Sequence, residues 1–187
     1  RCHCFIQRML DITYNQSNIK DILAYENFSN FSFKYYSNNK ADANGLTPLS
    51  AAKNAYDNCQ TFIKDFDHCF SNLLFYGDTG VGKTFLSNCV AKELLDTGHS
   101  VIYFTAFQLF DILSKGIFDK DKNAQDTHQN IFECDLLIID DLGTELTNSF
   151  TCSQLFLCLN ERILRKKATI ISTNLNMAQL GEIYSER

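Results

Sequence analysis

The chain has 187 residues, a net charge of −5, and 45% apolar residues that include 16 Phe and 8 Tyr. That supports one good core, alone or with a small appendage. It argues against a broadly basic nucleic-acid surface and leaves room only for a local patch. No apolar run approaches the roughly 18 residues of a membrane span, so no membrane partner is expected. The opening RCHCFIQRML has no initiator Met and no signal-peptide pattern, and the chain reads as a fragment cut at both ends.

In chain order, residues 5–26 carry an apolar stripe (Ile6, Leu10, Tyr14, Ile19, Ile22, Leu23) that predicts a helix. Residues 27–48 are rich in Asn, Ser and aromatics, hold Gly45 and the only proline, Pro48, and predict a loop or linker with a short FSF segment. Helical spacing returns over 49–66. A repeated beat follows: LLFY at 73–76 before a helix over 83–97, VIYF at 101–104 before a helix over 106–115, LLII at 136–139 before a helix over 150–165, then TIIS at 169–172. The polar stretch 119–130 predicts a solvated loop or helix end. Short apolar runs alternating with amphipathic helices specify an α/β fold, a parallel sheet flanked by helices.

The run from Gly77 to Thr84, Gly-Asp78-Thr79-Gly80-Val81-Gly82-Lys83-Thr, fits G-x-x-x-x-G-K-[ST] between a strand and a helix. Glycines let the backbone curl so that successive N–H groups face phosphate oxygens. The helix that follows starts with unsatisfied donors and a positive dipole end. Lys83 is expected to reach the β- and γ-phosphates and Thr84 to ligate Mg²⁺. Phe85, the next residue, is grouped with the nucleotide contacts. The LLIIDD run places Asp140 and Asp141 at the end of a buried strand. Asp140 would hold Mg²⁺ and Asp141 would polarise a water. Asn174, at the tip of the fourth strand, would hydrogen-bond that water or the γ-phosphate. The same loop suits a GTPase, and Asn39-Lys40-Ala41-Asp42 reads N-K-x-D. In a permuted GTPase, Ser50-Ala51-Ala52 would be the second base-contacting turn, and the few residues from Asp42 to Ser50 cannot supply the strand and helix between them.

Cys59, Cys69, Cys89, Cys134, Cys152 and Cys158 fall in helix-like or strand-like segments and are expected to be reduced and buried. The basic run Arg162, Arg165, Lys166, Lys167 has two readings: the solvated, dipole-matched end of a helix, or contacts to single-stranded DNA. Cys2-His3-Cys4 is a weak metal signal, because a tetrahedral zinc site needs four ligands.

NLLFYGDTGVGKTFLSNCVAKELLDTGHSVIYFTAFQLFDIL, CDLLIIDDLGTELTNSF, NERILRKKATIISTNL and YSER, in that order, resemble the DnaC/DnaI-type replicative helicase loaders. These are AAA+ ATPases close to the transposition helper ATPases of the IstB type. The resemblance covers roughly residues 27–187 and implies a P-loop AAA+ core preceded by a helical linker, with residues 1–26 ending a zinc-type N-terminal domain. It implies ATP and Mg²⁺ as cofactors. It implies a replicative DNA helicase and single-stranded DNA as partners, and self-association through the AAA+ interface. Gly77–Thr84 match Walker A, Asp140 and Asp141 match Walker B, and Asn174 matches sensor 1. Asp78 stands where many relatives have Pro, and its side chain is expected to point away from the phosphates. Arg187 matches the first arginine of the segment that donates a finger to a neighbouring subunit. The finger, the fifth strand and the helical lid are expected to be missing, so the isolated chain should bind ATP and hydrolyse it slowly. The strand at 73–76 would then be an aggregation-prone sheet edge. Cys2 and Cys4 fall where the second half of a zinc ligand set lies in this family, so Zn²⁺ is implied for a longer protein. A cytoplasmic location is implied. A nucleotide-sensing module without turnover stays open as a different class of function.

Overall fold

The computed structural model describes residues 19–39, 41, 45–118 and 122–184. The elements are α1 (Pro48–Lys64), β1 (Leu73–Tyr76), α2 (Lys83–Asp96), β2 (Val101–Thr105), α3 (Ala106–Phe118), α4 (Lys122–Glu133), β3 (Leu136–Leu142), α5 (Ser149–Leu164), β4 (Ala168–Thr173) and α6 (Met177–Tyr184). Local chemistry fixes two helix starts. Before α1, the Thr47 side chain accepts from the Ser50 N–H and the Ser50 hydroxyl accepts from the Thr47 N–H, while Pro48 sits where its missing N–H costs nothing. Before α5, Asn148 and Thr151 make the same reciprocal pair.

The four strands form one parallel sheet in the order β1-β4-β3-β2. β3 is central, and Leu136, Leu137, Ile138 and Ile139 are all fully buried. The two-residue period of a strand sends them to opposite faces. Leu136 and Ile138 join Leu23, Cys59, Phe62, Val90 and Leu94 on the face covered by α1 and α2. Leu137 and Ile139 join Leu109, Leu113, Ile131, Leu155 and Cys158 under α3, α4 and α5. Each such side chain contributes about 1.5–3 kcal/mol of transfer free energy, so this one strand staples both layers. Among the described residues β1 pairs only with β4, and Leu74 and Tyr76 stand exposed on that edge.

Several expectations need correction. The described part of the 5–26 helix is a single 3₁₀ turn, Ile22–Ala24. The Asn27 amide donates to the Leu23 and Ala24 carbonyls and so competes for the bonds that would continue a helix. Ile19 and Leu23 still reach the core, while Ile22 does not. Within 27–48, Phe33–Tyr35 forms a second 3₁₀ turn. The polar 119–130 stretch leads into a twelve-residue helix, α4, because Ile131 and Cys134 anchor its end in the core. Cys59, Cys89, Cys134 and Cys158 are buried free thiols, as expected, but Cys69 is exposed beyond the end of α1 and Cys152 is half-buried.

The basic run does not act as one surface. Arg162 is fully buried, and its guanidinium donates to the Thr169 hydroxyl, the Ile131 and Ala168 carbonyls and the Cys134 sulfur. Arg165, Lys166 and Lys167 instead line a cavity of about 230 Å³ with His99 and Asp135. That cavity lies at the amino ends of the strands, opposite the phosphate-type loop. Cys2, Cys4 and Arg187, and Lys40 and Asp42 of the Asn39–Asp42 motif, fall outside the described residues.

Candidate functional site

In an open parallel sheet, ligands sit beyond the carboxyl ends of the strands. β1 and β4 lie side by side with Tyr76 opposite Thr173, so Gly77 and Asn174 leave the sheet as neighbours. β3 stands on the other side of β4 and brings Asp140 and Asp141 to the same end. Non-sequential strand order thus gathers three segments that are far apart in the chain.

The loop Gly77–Gly82 joins β1 to α2. Gly77, Gly80 and Gly82 have positive φ, which favours glycine. Asp78, Thr79, Gly80 and Val81 are exposed. Lys83 begins α2 and is buried, and its ammonium donates to the Gly77 and Asp78 carbonyls at 2.9 Å and to Asn174 Oδ1 at 2.8 Å. These three bonds use all three ammonium protons. All three acceptors are neutral, and among the described residues no carboxylate pairs with this charge. A buried cation held only by neutral oxygens fits an incoming polyphosphate.

Thr84, one residue on, faces Asp140. Its hydroxyl lies 3.0 Å from each carboxylate oxygen. Tyr103 donates to Asp140 Oδ2 at 2.6 Å, and the Ser172 hydroxyl donates to Oδ1. Asp140 is buried, so hydroxyl donors stand in for lost water. Burial pushes the Tyr103 phenol well above its ordinary value, and the bond to Asp140 adds to that, so Tyr103 remains a donor. Hard oxygens from Thr84 and Asp140 at this spacing fit Mg²⁺, which keeps much of its water shell.

Asp141 differs from its neighbour. Its backbone is left-handed, with φ 55°, where the register between β3 and β4 shifts. The Ser172 hydroxyl accepts from its N–H and its carbonyl accepts from Thr144. Its carboxylate has no hydrogen-bond partner among the described residues. One acid is thus saturated and the other is available. Next, Gly143 has φ 100°, and a Cβ there would lie 2.5 Å from Leu175. Glu145 accepts from the Gly143 N–H at 2.8 Å and from the Tyr184 hydroxyl, which ties α6 to the loop after β3.

Beside the loop is a cavity of about 400 Å³ lined by Phe31, Tyr35, Tyr36, Val81, Gly82 and Phe85, among others. Phe31 packs edge-on against Phe85 with ring centroids 5.7 Å apart. Phe31 and Tyr36 lie in the segment expected to be only a loop or linker, and Tyr103 and Ser172 lie in expected strands with no site role assigned to them. The aromatic run FSFKYY over 31–36 was a signal for the first pair, because aromatics in a polar linker need a surface to cover. Ser172 sits two positions before Asn174 on β4, a polar break in an apolar strand.

A glycine-rich loop between β1 and α2, an acid pair ending β3 and an amide ending β4 define a P-loop nucleotide-binding domain of AAA+ type. The chain belongs to the family described as IstB-like ATP binding protein, which matches residues 27–187. It is 23% identical over 175 residues to the replicative helicase loader DnaC of Escherichia coli K12, covering 94% of this chain and 66% of that protein. It therefore spans just under two thirds of that relative. It is 29% identical over 116 residues to an ATP-binding protein of insertion sequence IS21 from Pseudomonas aeruginosa, covering 62% of this chain and 42% of that protein. The crystal structure of DnaI superposes with a TM-score of 0.67 at 22% identity, covering 88% of this chain and 79% of that one. No described helix is long and apolar enough to cross a membrane.

Proposed function

We propose that this chain is the ATP-binding and ATP-hydrolysing module of a replicative helicase loader, using Mg²⁺ and ATP to control helicase loading on single-stranded DNA. The observation that carries the nucleotide reading is the Lys83 ammonium, buried with three neutral acceptors and aimed across the loop at Asn174. The similarity to DnaC over 94% of this chain carries the loader reading. Lys83 and the N–H groups of Gly80, Gly82 and Thr84 bind and orient the polyphosphate. Thr84 and Asp140 hold Mg²⁺, which neutralises phosphate charge when bound. Asp141 polarises the attacking water for in-line displacement at the γ-phosphate, and Asn174 fixes Lys83. The finger arginine comes from a neighbouring subunit in the assembly.

The test is a competition titration. A fluorescent nucleotide is displaced by ATP or GTP with Mg²⁺, on this chain and on Lys83→Ala. ATP preference that disappears in the variant supports the reading. GTP preference sinks it. The IS21 relative supports a second reading, a transposition helper ATPase with the same core. Capture of a purified hexameric helicase by a longer form of the protein separates the two, because a transposition helper does not retain it.

A further inference from the structure

The Walker-type loop has a support that no motif contains. The Tyr36 hydroxyl donates to the Val81 carbonyl at 3.0 Å, across 45 residues of sequence. It packs on the next residue as well, since a Cβ on Gly82 would lie 2.6 Å from the Tyr36 oxygen. Tyr36 is itself held: its N–H closes the 3₁₀ turn on Phe33, and its ring stacks on Phe31 at 6.0 Å and 27°. Phe31 in turn contacts Tyr56 on α1 and Phe85 on α2.

Val81 C=O and Gly82 N–H belong to one peptide plane, and in a trans peptide they point in opposite directions. Gly82 has φ 95° and no Cβ, so little local sterics hold that plane in one orientation. Turned over, it would present a carbonyl oxygen to the phosphates instead of an N–H. We infer that Tyr36 is a positioning residue: its hydroxyl holds the Val81 carbonyl outward and thereby aims the Gly82 N–H into the phosphate cradle. The same ring walls the aromatic cavity beside the loop. The segment before α1 therefore sets the geometry of the phosphate donors. This inference rests on the ATP reading above.

Tyr36→Phe removes the hydroxyl and keeps the ring. Three probes separate the contributions: ADP, inorganic tripolyphosphate (cradle without base) and adenosine (base without phosphate), each measured by saturation-transfer NMR and by displacement of a fluorescent nucleotide. In Tyr36→Phe, ADP and tripolyphosphate binding is expected to weaken about five- to tenfold, the effect of one lost hydrogen bond. Adenosine binding should stay unchanged. Tyr36→Ala, which also removes the ring, should weaken all three. Thermal melting of each variant without ligand controls for folding. Equal losses for all three ligands in Tyr36→Phe would make Tyr36 merely structural and overturn the inference, as would no loss at all. A wild-type chain that binds none of the probes overturns the ATP reading and this inference together.

Discussion

The hydroxyl of Thr84 stands 3.0 Å from both carboxylate oxygens of Asp140, which joins the first turn of α2 to the end of the central strand. Both groups are hard oxygen donors, and in the function proposed above a divalent cation would take the place of the shared proton. Thr84→Ala is expected to lower the Mg²⁺-dependent part of ATP binding by at least about tenfold, the scale of losses at metal-site residues. Binding in excess chelator should hardly change. Calorimetric titrations with and without Mg²⁺ check this, and an unchanged Mg²⁺ enhancement in the variant would remove Thr84 from the metal role.

Asp141 and Asn174 should separate binding from turnover. The Asp141 carboxylate is unpartnered among the described residues, so Asp141→Asn should leave ATP affinity within about twofold and slow hydrolysis roughly 10²- to 10⁴-fold, the range for losing a general base. Asn174 accepts from Lys83 at 2.8 Å. Asn174→Ala frees the ammonium to wander and should weaken binding as well as turnover. Single-turnover assays on the assembled protein measure both. Full-rate hydrolysis by Asp141→Asn would assign the water to another group.

The residues proposed to touch phosphate or metal were legible because the chemistry assigned to them demands a fixed local pattern. Gly77–Thr84 must follow a strand and open a helix, and Asp140 must end a buried run. What was not legible depends on contacts between distant segments. Tyr103 reaches Asp140 only because β2 pairs with β3 in register, Phe104 beside Ile139. Tyr36 reaches Val81 only because the linker folds back as a 3₁₀ turn. The helix expected over 5–26 shrank to one turn in its described part because an Asn27 side chain competed for backbone carbonyls, which hydrophobic spacing does not register.

Arg162 shows the same limit, because its neighbours in sequence are charged and solvated while it is fully buried. Arg162→Met fits the space but takes the guanidinium donors from the Ile131 and Ala168 carbonyls, leaving Ile131 only the weak Cys134 thiol. Each orphaned group costs about 1–3 kcal/mol, so a loss of about 3 kcal/mol in urea unfolding is expected. Arg165→Met and Lys166→Met should stay within about 0.5 kcal/mol. Equal stability of all three variants would contradict the buried role of Arg162.

The thiols offer a chemical map of the core. Burial pushes Cys59 and Cys158 up to about 12, so neither forms thiolate near neutrality. Cys69 is exposed. Alkylation at pH 8 followed by peptide mass mapping should modify Cys69 within minutes and leave Cys59 and Cys158 untouched until denaturant is added. Early labelling of Cys59 would mean that α1 does not cover the sheet as described.

Asp135 sits at the other end of the sheet, where its carboxylate accepts from Ser100 N–H, the Ser100 hydroxyl and Lys167. Burial alone would raise its pKa, but the hydrogen bonds from Lys167 and Ser100 and the Lys167 charge outweigh it and hold the group below the usual carboxylate range. A group whose folded pKa is depressed stabilises the fold above its unfolded value, about 3.9, and loses that stabilisation as pH falls through the folded value. The Lys167 pair is partly exposed, at 31% and 34%, which limits the effect to about 1 kcal/mol. Asp135→Asn should therefore cost about 1 kcal/mol at pH 7, and its gap to the wild type should close as the pH is lowered below about 4. Urea midpoints measured from pH 7 to pH 3 decide the matter: a gap that stays constant or widens in acid would mean that the ionised carboxylate is not what joins β2, β3 and β4 there.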